Sequence, residues 1–303
     1  MKVTKKVSSF LLAVILCFAT IVGFANNTTK TAVYAAGNSD GVKIGISMPS
    51  SNDHETNILN PFDALCKTYG FQVFSADAQN NASNQVDQIN QFIDNQVDII
   101  VVMPVDENAL VGVLTDAANA GIGIIVIGYN NGLYPNALYV NFDYAGIGES
   151  NADDFLNNHY EAGAGATVLI VACDNQHGDD YSNAVKNKFQ NTSVVCEKIK
   201  IEYIEYAASE IKNWITSNGL PAAIFCCCYT NAQIVKQVLL ELGYTFGPGG
   251  IPIYGLGVNG NIYDALVEKI FELIQKLLSG EINPTGDISE GTILVGRDEN
   301  GED

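Results

Sequence analysis

The sequence predicts an α/β protein in which two doubly wound parallel-sheet lobes are joined by a hinge. The first observation is an alternation over residues 71–129 of three apolar runs with two segments of helical periodicity. The runs are Phe71–Phe74, Asp98–Met103 and Ile122–Ile127. Strands that are apolar on both faces are typical of parallel sheets covered by helices on each side. The second observation is that the same alternation resumes in the second half of the chain.

The first half supplies further elements on each side of this stretch. Its two helices, expected over Val86–Ile93 and Ala109–Ala120, have apolar residues at steps of three and four, which places them on one helix face. Additional elements are a strand at Val42–Met48, a helix over residues 55–69 and a strand at Ala137–Val140. Pro61 is expected to kink that helix or to delay its start.

The second half repeats the alternation without a long linker. Strands are expected at Val168–Ala172, Val194–Ile204, Ala222–Cys228 and Ile251–Leu256. Helices are expected at Tyr181–Phe189, Ala208–Ser217, Asn231–Leu242 and Tyr263–Ser279, with a loop at His177–Asp180. The expected N-terminal lobe is 41–131 plus 270–290, and the expected C-terminal lobe is 132–262 plus 291–298. The chain is expected to cross between lobes near residues 130–137.

Residues 1–35 have the features of an export signal and are excluded from the fold prediction. Three lysines at the start precede an apolar segment over Phe10–Ala25, and Val33-Tyr34-Ala35 offers small residues for cleavage. The alternative is an uncleaved membrane anchor, because the apolar segment is only slightly shorter than the ~20 residues that span a bilayer. Lipid attachment at Cys17 is not expected, because Leu16 rather than a small residue precedes it.

The acidic composition limits the classes of partner. Removal of the signal would take away four lysines and no acidic residue, so the formal net charge would fall from −19 to about −23. Such a surface repels nucleic acid and anionic lipid, and an anionic ligand would need a basic pocket. The roughly 265 residues that remain are enough for two lobes, each with its own core.

The cysteine pattern predicts neither a disulfide framework nor a metal site. The exported part would keep six cysteines, at positions 66, 173, 196, 226, 227 and 228, without a CxxC pair. Cys226 to Cys228 ends an apolar run and is interpreted as buried strand, with cysteine acting as a small apolar residue. No cofactor is expected.

Five short motifs of the first half point to a known family. They are Asp77-Ala78-Gln79-Asn80, Gln85-x-x-Gln88-Ile89, Val97-Asp98, Pro104-Val105-Asp106 and Ala120-Gly121-Ile122. This set resembles the first lobe of the type I periplasmic sugar-binding proteins, in the galactose/glucose-binding branch. The resemblance implies the periplasmic binding protein-like I fold, with Thr292–Asp298 as its terminal strand. It also implies a monomeric, exported, non-enzymatic receptor that delivers a small neutral sugar to an ABC permease or a chemoreceptor.

The resemblance also implies which residues contact the ligand. They are Asp53, Asn130 and Asn131 in the first lobe, and His177, Asp179, Asn183, Tyr206, Thr230 and Asn231 in the second. Asp and Asn side chains hydrogen-bond neighbouring sugar hydroxyls, and an aromatic ring stacks on the CH face of the sugar. Structural roles remain open for several of them. Asp53, Asp179 and Asn231 could cap helices, the Asn130-Asn131 pair could form a turn, and His177 could be a solvated loop residue.

The chain departs from the family pattern near its C-terminus. Gly257 stands where relatives carry a ligand aspartate, and Tyr263–Ser279 runs as one helix where relatives have a strand and a ligand-contacting loop between two helices. These departures leave open a paralogue whose sugar site has decayed.

Three other functions compete with that of a sugar receptor. Gly255-x-Gly257-x-x-Gly260 matches the dinucleotide fingerprint. The fingerprint also needs an acidic residue at the end of a second strand, after the helix. Here the helix runs on to Ser279, and Glu272 lies inside it. An enzyme on the same fold would need a nucleophile–base pair or a cofactor motif, and none is found. A repressor effector domain would have a DNA-binding helix pair in place of the export signal.

Overall fold

The computed structural model describes residues 41–51, 53–134, 136–161, 163, 165–256, 262–282 and 293–295. The expected export signal, Gly257 and Gly260 therefore lie outside the described residues. The described part forms two parallel β-sheets with connecting helices, which confirms the predicted α/β class. The described residues all belong to one unit of internal contacts.

The strands follow the apolar runs of the sequence closely. They are β1 (Lys43–Met48), β2 (Gln72–Asp77), β3 (Ile99–Val102), β4 (Gly123–Ile127), β5 (Ala137–Phe142), β6 (Ala166–Cys173), β7 (Val194–Ile201), β8 (Ala223–Cys226), β9 (Ile253–Gly255) and β10 (Ile293–Val295). Every residue of β3, β4, β5 and β8 is buried, as expected for strands covered on both faces.

The helices connect these strands. They are α1 (Asp53–Thr68), α2 (Ala82–Asp94), α3 (Glu107–Asn119), α4 (Tyr144–Asn158), α5 (Gln176–Phe189), α6 (Ile204–Asn218), α7 (Tyr229–Glu241) and α8 (Ile262–Ser279). Asn81 and Asp106 cap α2 and α3 by accepting backbone N–H bonds. None of the helices in the described residues is long and apolar enough to cross a membrane.

The first sheet has six strands in the order β10-β5-β4-β3-β1-β2, and the second has four in the order β7-β6-β8-β9. All pairs between these strands are parallel. The carboxyl ends of the strands in each sheet therefore meet at one edge, where open parallel sheets bind their ligands.

Two strands lie in a different sheet from the one that the expected lobe boundaries imply. Both β5 and β10 were assigned to the C-terminal lobe, but β5 pairs with β4 and β10 pairs with β5 in the first sheet. The chain therefore leaves the first sheet after Phe142 and not between residues 130 and 137. The sequence could not reveal this, because a short apolar strand carries no signal for the sheet that it joins.

Several local predictions need correction. Pro61 lies inside α1, and the helix begins at Asp53 rather than late. The expected loop at His177–Asp180 is the first turn of α5, because Asn175 caps that helix by accepting from the Gly178 N–H. Helix α4 was not expected, since its first turns contain Gly146 and Gly148 instead of a clear apolar face.

Candidate functional site

The carboxyl edges of the two sheets approach each other around His177. Tyr129 follows β4 and Tyr144 follows β5 in the first sheet, whereas His177 follows β6 in the second sheet. The rings of Tyr144 and His177 are stacked, with centroids 4.5 Å apart and an interplanar angle of 6°. Tyr129 lies on the imidazole at 5.1 Å, tilted by 47°. The site thus has two aromatic rings from one sheet against an imidazole from the other.

Polar groups surround this aromatic cluster. Asn141, the penultimate residue of β5, is only 3% exposed and places its Nδ2 3.5 Å from His177 Nε2. Tyr129 Oη donates a 2.7 Å hydrogen bond to Asp180 Oδ2 and so links the loop after β4 to α5. Gln176 Nε2 donates to the other carboxylate oxygen of Asp180 at 2.6 Å. Donors and acceptors from both sheets therefore face one small region.

Burial controls the protonation of the cluster. It lowers the pKa of His177 below its ordinary value, although the charges of Cys173 and Asp180 act in the opposite direction. Burial also raises the pKa of Tyr129, and the hydrogen bond to Asp180 raises it further. The full burial of Tyr144 raises its pKa as well. Uncharged rings therefore line the site near neutral pH.

A close backbone approach holds the first turn of α5 against β6. A Cβ on Gly178 would lie 2.1 Å from the carbonyl oxygen of Cys173, so only glycine fits at this position. Ser182, one turn later, is fully buried and donates to the Gly178 carbonyl at 2.6 Å. The geometry of this turn fixes His177 beside the end of β6.

Three cysteines lie next to this region at the carboxyl edge of the second sheet. Cys227 Sγ donates to Cys173 Sγ at 3.5 Å, and the sulfur atoms of Cys173 and Cys228 are 3.6 Å apart. These contacts lower the pKa of Cys173, because the thiols of Cys227 and then Cys228 donate to it. The same contacts raise the pKa values of Cys227 and Cys228.

The earlier interpretation of Cys226 to Cys228 as buried strand holds only in part. Cys226 ends β8 and is fully buried, and Cys227 is buried just beyond the strand. Cys228 is half-buried and is the N-cap residue of α7. The three sulfur atoms of positions 173, 227 and 228 form a group that could hold a metal ion, which the sequence spacing did not indicate.

Of the residues predicted in the first lobe, none is brought into the aromatic cluster by a described contact. Asp53 is the first residue of α1, and its side chain lies outside the described residues. Asn130 is exposed and accepts from the Gly132 N–H at 2.9 Å. Asn131 accepts from the Leu133 N–H at 3.0 Å and donates to Glu107. Both asparagines therefore shape the turn after β4, which was the open structural alternative.

The second-lobe residues divide into two groups. His177 lies at the centre of the cluster, and Asn231 is fully buried beside the cysteines. By contrast, Asp179 pairs with Lys198 Nζ at 2.9 Å, which lowers the pKa of its carboxyl. The remaining residues, Asn183, Tyr206 and Thr230, are exposed on α5, α6 and α7.

The sequence analysis did not single out Tyr129, Asn141, Tyr144 and Asp180, which the structure brings into the candidate site. A usable signal existed for two of them, since Tyr129 and Tyr144 each come two residues after a predicted or observed strand end. Aromatic residues at that offset in parallel sheets lie at the ligand edge. No such signal existed for Asp180, which contributes only because the two sheets meet there.

Comparison with known proteins places the chain in a family. The sequence profile described as periplasmic binding protein domain matches residues 44–275. Because the match covers well over half of the sequence, the chain belongs to the periplasmic binding protein domain family. Membership in this family implies an extracytoplasmic location.

Individual relatives agree with this assignment. The xylitol-binding protein of Mycolicibacterium smegmatis is 24% identical in an alignment of 234 residues that covers 73% of this chain and 63% of that protein. The alignment therefore spans less than two thirds of that relative.

Among solved structures, a periplasmic ribose ABC transporter protein from Conexibacter woesei superposes with a TM-score of 0.68 at 16% identity, covering 86% of this chain and 92% of that chain. A solute-binding protein from Actinobacillus succinogenes with bound D-allose gives 0.69 at 17% identity, covering 86% and 98%. These similarities show a type I periplasmic binding protein fold.

Proposed function

We propose that this protein is an extracytoplasmic binding protein that captures a small neutral sugar between its two sheets and delivers it to an ABC importer or a chemoreceptor. The observation that carries the proposal is the bridge between the carboxyl edges, in which Tyr129 bonds Asp180 and Tyr144 stacks on His177. The family membership and the relatives described with xylitol and D-allose support the same ligand class.

The chemistry of the cluster suits a polyhydroxylated, uncharged ligand. Sugars present CH faces, which stack on aromatic rings, and hydroxyl groups, which both donate and accept hydrogen bonds. Tyr129, Asn141 and Asp180 offer both kinds of partner within one region. When a sugar enters, its hydroxyls take over hydrogen bonds that these side chains otherwise make with one another, so the polar groups stay satisfied.

Closure of two lobes around the ligand is the proposed mechanism. Each sheet with its helices forms a lobe, and a ligand that contacts both carboxyl edges favours the closed form by its differential affinity. Membrane partners would recognise the closed form. We also propose that the protein acts as a monomer without catalytic activity, and that its mature chain begins near Ala36.

The ligand contacts in this proposal are Tyr129, Asn141, Tyr144, His177 and Asp180. The other residues implied by the family resemblance remain predictions. Asp179 is the least favoured of them, since its carboxylate faces lysines on β7. A second candidate function is a paralogue with a decayed sugar site. The observation that favours it is that Asn130 and Asn131 shape a turn and Asp179 pairs with Lys198, so three residues implied by the resemblance make other contacts.

A thermal-shift screen of neutral monosaccharides and polyols, followed by calorimetry, tests the proposal. A ligand that binds only the folded protein stabilises it by about 2.7 kcal/mol at 100 times its dissociation constant. Replacement Tyr129→Phe keeps the ring but removes the hydroxyl, so a buried sugar hydroxyl would lose its partner. We expect it to weaken binding of the best ligand by on the order of 1–3 kcal/mol, or roughly 5- to 150-fold.

The matched control is Tyr244→Phe, the same chemical change at an exposed tyrosine after α7. It should leave the affinity within about twofold of wild type, a free-energy change well below 1 kcal/mol. Equal affinities for wild type and Tyr129→Phe would remove Tyr129 from the site. A screen in which no sugar or polyol stabilises the protein would favour the decayed paralogue.

A further inference from the structure

Sheet pairing brings the three cysteines together. Strands β6 and β8 are neighbours, with Val171 opposite Cys226, so Cys173 lies beside the turn that carries Cys227 and Cys228. The Cys227 N–H donates to the Val171 carbonyl at 3.1 Å and extends the pairing past the end of β8. The arrangement is therefore built on the frame of the second sheet.

The distances between the sulfur atoms match a thiolate site. Two of the sulfur–sulfur distances are 3.5 and 3.6 Å, and all three sulfur atoms lie within 4.8 Å of one another. Zinc–sulfur bonds of about 2.3 Å at tetrahedral angles would place the sulfur atoms about 3.8 Å apart. Small side-chain rotations would therefore suffice to direct all three lone pairs at one ion.

Hydrogen-bond donors already surround the sulfur atoms. The Cys173 N–H donates to Cys227 Sγ at 3.1 Å, and Asn231 Nδ2 lies 3.6 Å from the sulfur atoms of Cys173 and Cys227. Such outer donors stabilise negative charge on metal-bound thiolates and orient them. The Asn231 side chain is fully buried, and its Oδ1 has no hydrogen-bond partner among the described residues. The Asn231 amide therefore faces the sulfur atoms with its donor group, as an outer donor to a metal-bound thiolate would.

We propose that Cys173, Cys227 and Cys228 bind one thiophilic closed-shell cation, of the class of Zn²⁺ and Cu⁺, at the carboxyl edge of the second sheet. Soft thiolate ligands select these two ions over hard cations such as Mg²⁺ and Ca²⁺. Cys227 is buried, whereas Cys173 and Cys228 are half-buried, so the ion would enter past the latter two. Three thiolates are enough for three-coordinate Cu⁺. Zn²⁺ is usually four-coordinate, so three thiolates leave it one open position.

This site is separate from sugar capture in its chemistry, although it lies nearby. None of the three cysteines is among the sugar contacts proposed above, and ion binding requires no sugar. Failure of the sugar screen would therefore leave the ion site untouched, and absence of ion binding would leave the sugar proposal untouched.

The test uses the full chain after reduction with a phosphine under anaerobic conditions, with its free thiols counted. Zn²⁺ alone and Cu⁺ alone are titrated in separate arms against a chromogenic chelator for each ion. The ultraviolet thiolate-to-metal absorption is recorded in parallel. We expect one ion per chain in at least one arm, and the arm with the higher affinity identifies the ion.

The informative variant is Cys228→Ser. Cys228 is the N-cap of α7 without a side-chain cap bond, and serine is a favoured N-cap residue, so this variant should fold at least as well as wild type. Loss of one of three thiolates should weaken ion binding by at least about tenfold. The control is Cys196→Ser, a half-buried thiol on β7 outside the cluster, which should bind like wild type.

Two results would overturn the proposal. One is that the reduced wild-type protein, with all its thiols free, binds neither ion. The other is that Cys228→Ser, shown to be folded by circular dichroism, binds as tightly as wild type.

Discussion

Burial sets the protonation state of His177, the residue at the centre of the candidate site. Its imidazole is stacked on Tyr144, touches Tyr129 and lies near Asn141, with Cys173 and Asp180 as the charged neighbours. Loss of hydration outweighs the attraction of those two groups, and the pKa of His177 falls. The folded protein therefore keeps this side chain neutral at a pH where the unfolded chain takes up a proton.

That difference predicts a pH dependence of stability. Between the lowered folded pKa of His177 and the unfolded value of about 6.5, the unfolded state binds more protons, so stability falls as the pH falls through this window. Thermal unfolding of wild type and His177→Gln, measured from about pH 7.5 to about pH 5.5, checks this. We expect the Tm of wild type to fall more steeply than that of the variant.

His159→Gln provides the control, because His159 is an exposed histidine at the end of α4. This variant should keep the slope of wild type. Identical slopes for wild type and His177→Gln would show that His177 is not held neutral by the fold.

At the scale of the elements, glycine decides how closely α4 and α5 pack. A Cβ on Gly148 of α4 would lie 2.7 Å from the Tyr181 carbonyl oxygen and 3.2 Å from the Ala184 Cβ. A helix backbone cannot move away from such a contact without shifting the whole helix. The approach matters for function, because α5 carries His177 and Asp180.

Two Gly→Ala changes should have opposite effects on the stability of the protein, one at the contact of α4 with α5 and one on an exposed helix face. Gly148→Ala should destabilise the protein by about 1–3 kcal/mol, since the added methyl group overpacks the contact. Gly112→Ala should stabilise it by about 0.5–1 kcal/mol, because Gly112 is exposed inside α3 and a Cβ there would meet nothing within 4 Å. Urea unfolding of both variants measures the difference, and effects of the same sign would contradict the packing argument.

At the scale of the whole molecule, charge and export are connected. The formal net charge of −19 is that of the full sequence, and removal of residues 1–35 would make it more negative. A strongly acidic surface disfavours an anionic ligand and agrees with the neutral sugar proposed here.

The proposed export can be checked directly. We expect the mature protein to begin near Ala36, because a basic start, an apolar segment and Val33-x-Ala35 precede that position. N-terminal sequencing and intact mass of the protein recovered outside the cytoplasm provide the measurement. An intact Met1, or a lipid on Cys17, would contradict the expectation.

Much of the fold could be predicted from the sequence because its signals are local. Apolar runs and steps of three and four lie within a few residues of each other, and they located nine of the ten strands in the described residues, whereas β10 was expected from the family resemblance. Seven of the eight described helices were expected, and α1 was among them despite its poor apolar pattern. The remaining helix, α4, was missed because glycines and polar residues weaken its pattern. Five motifs near strand and helix ends were enough to indicate the family that the profile match then showed.

Only the tertiary structure decided which distant segments meet. It placed β5 and β10 in the first sheet, directed Asp179 towards Lys198, and brought Cys173 within 3.6 Å of Cys228. It also joined Tyr129 to Asp180 across the two sheets. Such contacts depend on strand order and on the approach of the two carboxyl edges, which arise from packing of the whole chain. Local periodicity does not encode these contacts. The candidate site could therefore be described only from the structure, whereas most of the fold could be predicted from the sequence.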